Sequence, residues 1–249
     1  MRTFRFLLVL GACLIAWIPL TRAAEEVDLL LVLAVDVSRS IDQQKFLLQR
    51  DGYAAAVTDR GVLDAIRSGP HQKIALAFLE WSGAGAEKLL IDWTIIDGAA
   101  SARRFGDQLV EFPRSFADRT SISGGIEFAA AQIARAPFTA PRHVVDVSGD
   151  GTNNAGRDVQ AARDEVVAKG ITVNGLVILT PQGQFLFNAD HTNPPGGLEK
   201  YYRDNVIGGP SAFVMVAEDF NAFGKAIVKK MIAEIAGVPV PRRRLALAP

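Results

Sequence analysis

The sequence predicts a three-layer, doubly wound α/β domain built on a mostly parallel sheet of six strands, with one antiparallel hairpin strand at its edge. Three observations predict it. Apolar runs of strand length alternate with segments of helical periodicity along most of the chain. The run Leu29 to Val35 is apolar without interruption, as in a strand buried on both faces of a parallel sheet. Two neighbouring strand-like runs are joined only by Ser82-Gly83-Ala84-Gly85, too short for the crossover that a parallel return needs.

The elements follow in order. Residues 1–23 read as a secretory signal peptide: Arg2 and Arg5 precede an apolar stretch from Phe6 to Leu20, and Thr21-Arg22-Ala23 offers small residues for cleavage. That stretch is short for a membrane span. Residues 24–236 form the domain. The first strand covers 29–37, and a helix covers 41–66 on the pattern of Phe46, Leu47, Tyr53, Val57 and Leu63, ended by Gly69-Pro70. The hairpin strands are 73–81 and 88–96. Amphipathic helices cover 99–112 and 121–134, a strand 142–148, a helix 156–169 and a strand 171–179. Residues 181–210 are rich in Gly, Pro and Asn, with a short helix at most around 198–205. A last strand covers 212–217, and Asp219 caps a closing helix with apolar positions Phe220, Phe223, Ile227, Met231 and Ile235. Residues 237–249, with the triplet Arg242-Arg243-Arg244, read as a disordered tail.

Composition narrows the function. The chain carries 27 basic and 27 acidic residues, and loss of the leader leaves 24 basic, a mildly acidic product with nothing that suits nucleic acid. The one cysteine, Cys13, lies in the leader, so the mature chain has no disulfide. Leu10-Gly11-Ala12-Cys13 resembles a lipoprotein cleavage box, but the apolar run continues past it, and anchoring there is not expected. The product is expected to be periplasmic or secreted, without a membrane span.

Where the first strand gives out stands Asp36-Val37-Ser38-Arg39-Ser40. One carboxylate and two hydroxyls at alternate positions are three hard oxygen ligands at the end of a strand where open α/β sheets place their sites. Two further pieces bear on it: Thr120 before the helix 121–134, and Asp150-Gly151 after the strand 142–148. Each has a plain alternative. Ser40, with Gln43 three residues on, makes a capping box; Thr120 is an N-cap candidate; Asp150-Gly151 is an ordinary turn. Taken together, two carboxylates and three hydroxyls without a nearby His or Cys suit Mg²⁺, or Mn²⁺ and Ca²⁺, rather than zinc or copper.

This pattern, an Asp-x-Ser-x-Ser after the first strand, a Thr five residues ahead of Gly125-Ile126 and an Asp-Gly after a later strand, resembles the metal-ion-dependent adhesion site of von Willebrand factor A domains. The resemblance covers essentially the whole domain, hairpin included. The runs Gln49-Arg50-Asp51-Gly52-Tyr53, Glu80-Trp81, Asp146 to Gly151, Asn174-Gly175 and Tyr201 to Pro210 are similar to an exported bacterial subfamily labelled a domain of unknown function. The resemblance implies that Ser38, Ser40 and, with a ligand bound, Thr120 contact the metal directly, and that Asp36 and Asp150 do so directly or through water. It implies a binding module rather than an enzyme, with the ion completed by an Asp or Glu of a protein partner. Arg39 departs from the family, where many members carry Gly; it can clasp an acidic partner or point to solvent.

Other residues are weighed against this set. At about 3.3 Å per residue, Asp146 is too far from Asp150 to share an ion, and is expected to be a hydrogen-bonded, partly buried Asp. Asn153 and Asn154 suit turn formation or the steering of outer waters. The 181–210 segment, with Phe185, Phe187, His191 and Tyr201, leaves its strand on the metal's rim and either selects the partner or merely connects. His71, His143 and His191 lie far apart in sequence, and Trp81 and Trp93 fall on the hairpin as core or edge residues. Two alternatives remain: a metal-assisted hydrolase, for which no general base can be named, and a scaffold whose ion only stiffens loops.

Overall fold

The structure is a computed structural model that describes residues 24–180 and 189–237. The expected leader, Cys13, Phe185, Phe187 and nearly all of the expected tail lie outside the described residues. The elements are β1 Glu25–Glu26, β2 Leu30–Asp36, α1 Gln43–Thr58, α2 Arg60–Arg67, β3 Ile74–Trp81, β4 Glu87–Ile96, α3 Ala99–Glu111 and α4 Ile122–Ala134. There follow β5 Phe138–Thr139, β6 His143–Gly149, α5 Val159–Val167, β7 Thr172–Ile178, α6 Ala189–Thr192, α7 Leu198–Tyr201, a π-helical turn Tyr202–Val206, β8 Val214–Ala217 and α8 Phe223–Ala236.

The main sheet has six strands in the order β4-β3-β2-β6-β7-β8, parallel except for the antiparallel β3–β4 hairpin. β2 is central, and every residue of it is buried. Its alternate side chains enter two cores: Leu31, Leu33 and Val35 pack with α1, α3 and α8, while Leu30, Val32 and Ala34 pack with α4 and α5. That two-sided burial is the physical reason the run is apolar throughout. Chain order reverses at β2, since β3 and β4 extend the sheet one way and β6, β7 and β8 the other. A crevice therefore opens at the carboxyl ends of β2 and β6.

The differences from the sequence reading lie at element ends. The helix expected over 41–66 is two helices. Asp59 breaks it by taking an extended conformation and accepting from the amides of Gly61 and Val62, which starts α2. The buried positions Val62, Leu63 and Ile66 of α2 do not continue the spacing of Tyr53, Ala56 and Val57 in α1, and that change of phase accompanies the break. Asp42, not Ser40, caps α1, accepting from Lys45 N at 2.8 Å. Ser121, not Thr120, caps α4. Asp158 caps a shorter α5, and Asp219 caps a turn that leads into α8, which begins only at Phe223. A small parallel pair, β1 with β5, was not expected. Trp81 is core, and the half-buried Trp93 donates its indole N–H to Gln132 O at 3.0 Å.

Asp146 is more deeply placed than expected. It is wholly buried under α8, where Lys230 Nζ lies 2.7 Å from Oδ1. Lys230 also pairs with Glu234, whose Oε1 accepts from Asn174 Nδ2 at 2.9 Å, and Asn174 Oδ1 accepts from Phe213 N at 3.1 Å. Burial raises the Asp146 and Glu234 carboxyls, and Lys230 opposes both rises. Lys230 thus offsets one charge of a buried carboxylate pair and ties α8 to β6 and β7. Lys230→Met should destabilise the fold by about 3–5 kcal/mol at neutral pH, because it leaves buried charge unpaired; urea unfolding of the purified variant checks this.

Candidate metal centre

β2 delivers Asp36 at its last position, and β6 delivers Asp150 one residue past its end. The strands are hydrogen-bonded neighbours, so both carboxylates emerge side by side in the crevice, and neither has any solvent exposure. The loop after β2 is held tightly. Val37 N donates to Trp81 O at 2.9 Å, Ser38 N donates to Asp36 Oδ1 at 2.7 Å, and Ile41 N donates back to Ser38 O at 3.0 Å. From outside, Arg114 donates to Val37 O and Ser38 O, each at 2.5 Å. This turn aims both hydroxyls inward. Ser38 Oγ and Ser40 Oγ lie 3.2 Å apart, and Ser40 Oγ donates to Asp150 Oδ1 at 2.6 Å.

Four of the five predicted residues therefore meet directly. Thr120 joins them through the Asp150 loop, since its carbonyl accepts from Asn154 N at 2.9 Å and Ala155 N at 3.1 Å, and its amide donates to Asn154 Oδ1 at 2.9 Å. Asn153 adds a link to α4 by accepting from Ser123 N at 3.1 Å. The two asparagines thus stitch the Asp150 loop to the Thr120 loop. Arg39 is exposed. His71 precedes β3 and His143 opens β6, both at the far end of the sheet.

The donor set fits a hard divalent cation. Oδ2 of Asp36 is enclosed and has no hydrogen-bond partner among the described residues, an uncommon state for a buried carboxylate oxygen. Burial, reinforced by repulsion from Asp150, pushes the Asp36 carboxyl from 3.8 up to about 8. A cation beside both carboxylates would relieve that repulsion and give the free oxygen a partner. Among the described residues, no three Asp, Glu, His or Cys side chains form a metal cluster.

Two residues here were not foreseen in their roles. Lys45, one turn beyond the motif, places Nζ 2.9 Å from Ser40 O and 3.4 Å from Asp150 Oδ2. It also lines a 220 Å³ pocket with Asp42 and Asp219, where two other carboxylates can receive it. A lysine three positions into the helix after the motif was the available signal. The sequence places His191 in the 181–210 segment, far from the other histidines. Asn154 Oδ1 accepts from Thr120 N, so its Nδ2 faces His191 Nδ1 at 3.3 Å and must donate there; Thr152 Oγ1 stands 3.1 Å from the same nitrogen. The ring proton is then on Nε2, which donates to Thr120 Oγ1 at 3.3 Å. Burial lowers the pKa of His191, and the Asp150 carboxylate opposes that shift.

Residues 26–239 match the family described as a protein of unknown function (DUF1194). The chain belongs to the DUF1194 family. Its fold is von Willebrand factor A-like. Proximal thread matrix protein 1 of the mussel byssus is similar at a TM-score of 0.60 and 15% identity, over 85% of this chain and 48% of that one. A second structure of that protein, at a TM-score of 0.58, has a zinc-occupied MIDAS motif. The pilus adhesin SpaC of Lactobacillus rhamnosus GG gives a TM-score of 0.59 and 12% identity, over 86% and 31%. A von Willebrand factor type A structure from Catenulispora acidiphila gives 0.55 and 14%, over 85% and 43%. The DUF1194 chain thus spans less than half the length of these proteins. No curated protein matches it in sequence.

Two outcomes follow for the DUF1194 site. Between 3.8 and about 8 the folded chain holds a proton on Asp36 that the unfolded chain has released, so stability in EDTA should fall as pH rises through that window and level off above it. Burial also pushes Glu234 up, to about 7, which adds to the same slope; the Asp36 share is the part that Asp36→Asn removes in melting scans. Lys45→Met should tighten Mg²⁺ binding by about fivefold, the size of a partly exposed ion pair, as read by isothermal titration calorimetry.

Proposed function

We propose that this chain is an exported, metal-dependent protein-binding module of the adhesion type. Asp36, Ser38, Ser40, Thr120 and Asp150 would hold a divalent cation, and an Asp or Glu side chain of a partner would complete its ligands. The observation that carries the reading is the convergence of two buried carboxylates and two hydroxyls at the strand-order reversal, with one Asp36 oxygen left free. An all-oxygen set with only two carboxylates favours Mg²⁺, with Mn²⁺ and Ca²⁺ as close substitutes. It also leaves room for one more anionic ligand. The ion supplies charge and an open coordination position; the chain orients its hydroxyls and screens the carboxylates from water.

The surroundings support binding. Arg39 stands exposed on the motif loop, where its charge suits an acidic partner. The hydrolase alternative needs a general base, and His191 is the imidazole nearest the motif. Both its nitrogens are engaged within the fold, which favours a role in holding Thr120. A zinc-occupied MIDAS motif in the mussel protein and an adhesin among the similar folds accord with this reading.

The test is a pull-down from the source cell envelope with the leaderless chain as bait. A partner retained in Mg²⁺ should be lost in EDTA and equally lost with Asp150→Ala. Retention under both conditions would exclude metal-dependent binding. A melting temperature lowered by EDTA with partner capture unchanged would leave the ion a structural role only.

A further inference from the structure

A second buried oxygen ends at the same place as the free oxygen of Asp36, and the metal set does not use it. Tyr202 opens the π-helical turn Tyr202–Val206, and its side chain has no solvent exposure. The ring lies flat across the sheet. A Cβ on Gly175 of β7 would stand 3.0 Å from its Cδ1; one on Gly149 of β6 would stand 2.6 Å from its hydroxyl and 3.0 Å from Asp36 Oδ2. Each of these strands is therefore bare where the ring crosses it, and the hydroxyl reaches the edge of the metal crevice. Neither the Tyr202 hydroxyl nor Asp36 Oδ2 has a hydrogen-bond partner among the described residues.

The segment around Tyr202 is anchored so that the ring stays there. Ile207 N donates to Tyr202 O at 3.0 Å, and Gly208 and Val173 exchange backbone bonds at 2.8 and 3.0 Å. Arg163 donates to Ile207 O at 2.5 Å. Next to it, the Tyr201 hydroxyl accepts from Asn153 N at 3.1 Å, in the Asp150 loop. Single π turns commonly re-aim one side chain at a functional site. A buried hydroxyl without a partner destabilises the bare fold, and a phenylalanine would fill the same space without that cost. The hydroxyl becomes an asset only when something polar arrives beside Asp36.

We propose that Tyr202 is a positioning residue of the metal centre, its hydroxyl ordering the water that a divalent ion brings against Asp36. The inference rests on the metal-binding reading and extends it to a residue outside the motif. It also accounts for Gly175 and Tyr202, which the motif leaves without a task.

Tyr202→Phe separates this role from packing. In EDTA the variant should melt at or above the wild-type temperature, since an unpaired hydroxyl is gone. Its Mn²⁺ affinity by calorimetry should nonetheless fall about tenfold, the usual effect of losing an outer-shell partner. Equal Mn²⁺ affinity in both proteins would overturn the proposal. The chain has only three tyrosines, so full-length domain labelled with 3-fluorotyrosine gives three ¹⁹F signals. The Tyr202 signal, assigned with Tyr53→Phe and Tyr201→Phe, should move on Mg²⁺ titration even if Tyr202→Phe does not fold. A stationary signal while Mg²⁺ binds would overturn the proposal. Wild type that binds neither ion would overturn the metal reading itself, which is a different failure.

Discussion

Two carboxylates held side by side out of water form the constraint around which this domain is arranged. Asp36 and Asp150 end adjacent strands, and both are fully buried. Burial and mutual repulsion push Asp36 to about 8, a penalty on the order of 5 kcal/mol for ionising it without compensation. Arg114 eases this only from outside, through the loop carbonyls. Lys45 eases it from Asp150's side, partly exposed and at 3.4 Å. The neighbouring loops are tied to one another by Ser40, Asn153 and Asn154, which prevents the carboxylates from parting. A fold that pins two like charges together in this way is poised for a cation.

The same region contrasts with the other buried charge cluster in the domain. Beneath α8, Asp146 and Glu234 share an internal cation in Lys230, so that cluster is closed and structural. At the rim, the internal cation is Lys45, partly exposed and 3.4 Å from Asp150 Oδ2, whereas Lys230 is wholly buried and 2.7 Å from Asp146. Both clusters lie along β6, four residues apart, yet only one opens to the crevice. Placement at the carboxyl end of the sheet, rather than residue type, separates the pair proposed to hold the ion from the structural one.

Much of this was legible in the sequence because the signals were local. The unbroken run Leu29 to Val35 identifies the central strand, and the four-residue link after Trp81 dictates the hairpin. Asp36, Ser38 and Ser40 are close enough in sequence to be read as one site. Thr120 and Asp150 came from their places after or before regular elements. What stayed hidden depends on contacts across the sheet. Ser40 and Thr120 each have a plain reading as a helix cap, and only Asp42 and Ser121, filling that role, show that neither hydroxyl is the cap. The break at Asp59 rests on one carboxylate that accepts from the amides of Gly61 and Val62, a local bond that the apolar pattern does not mark. Lys230 reaches Asp146, Lys45 reaches Asp150 and His191 reaches Thr120 over long sequence separations, which neither periodicity nor spacing encodes. The 181–210 segment is read as selector or connector; in its described part it is anchored beside Thr120 and the Asp150 loop through His191, Tyr201 and Tyr202.

The most direct test of the account is anomalous diffraction from crystals of the domain grown with Mn²⁺. The account predicts one strong peak enclosed by Asp36, Ser38, Ser40 and Asp150, with Lys45 withdrawn from Asp150. Crystals that hold Mn²⁺ elsewhere, or that keep the Ser40–Asp150 and Lys45–Asp150 contacts at saturating metal with no peak between them, would contradict it.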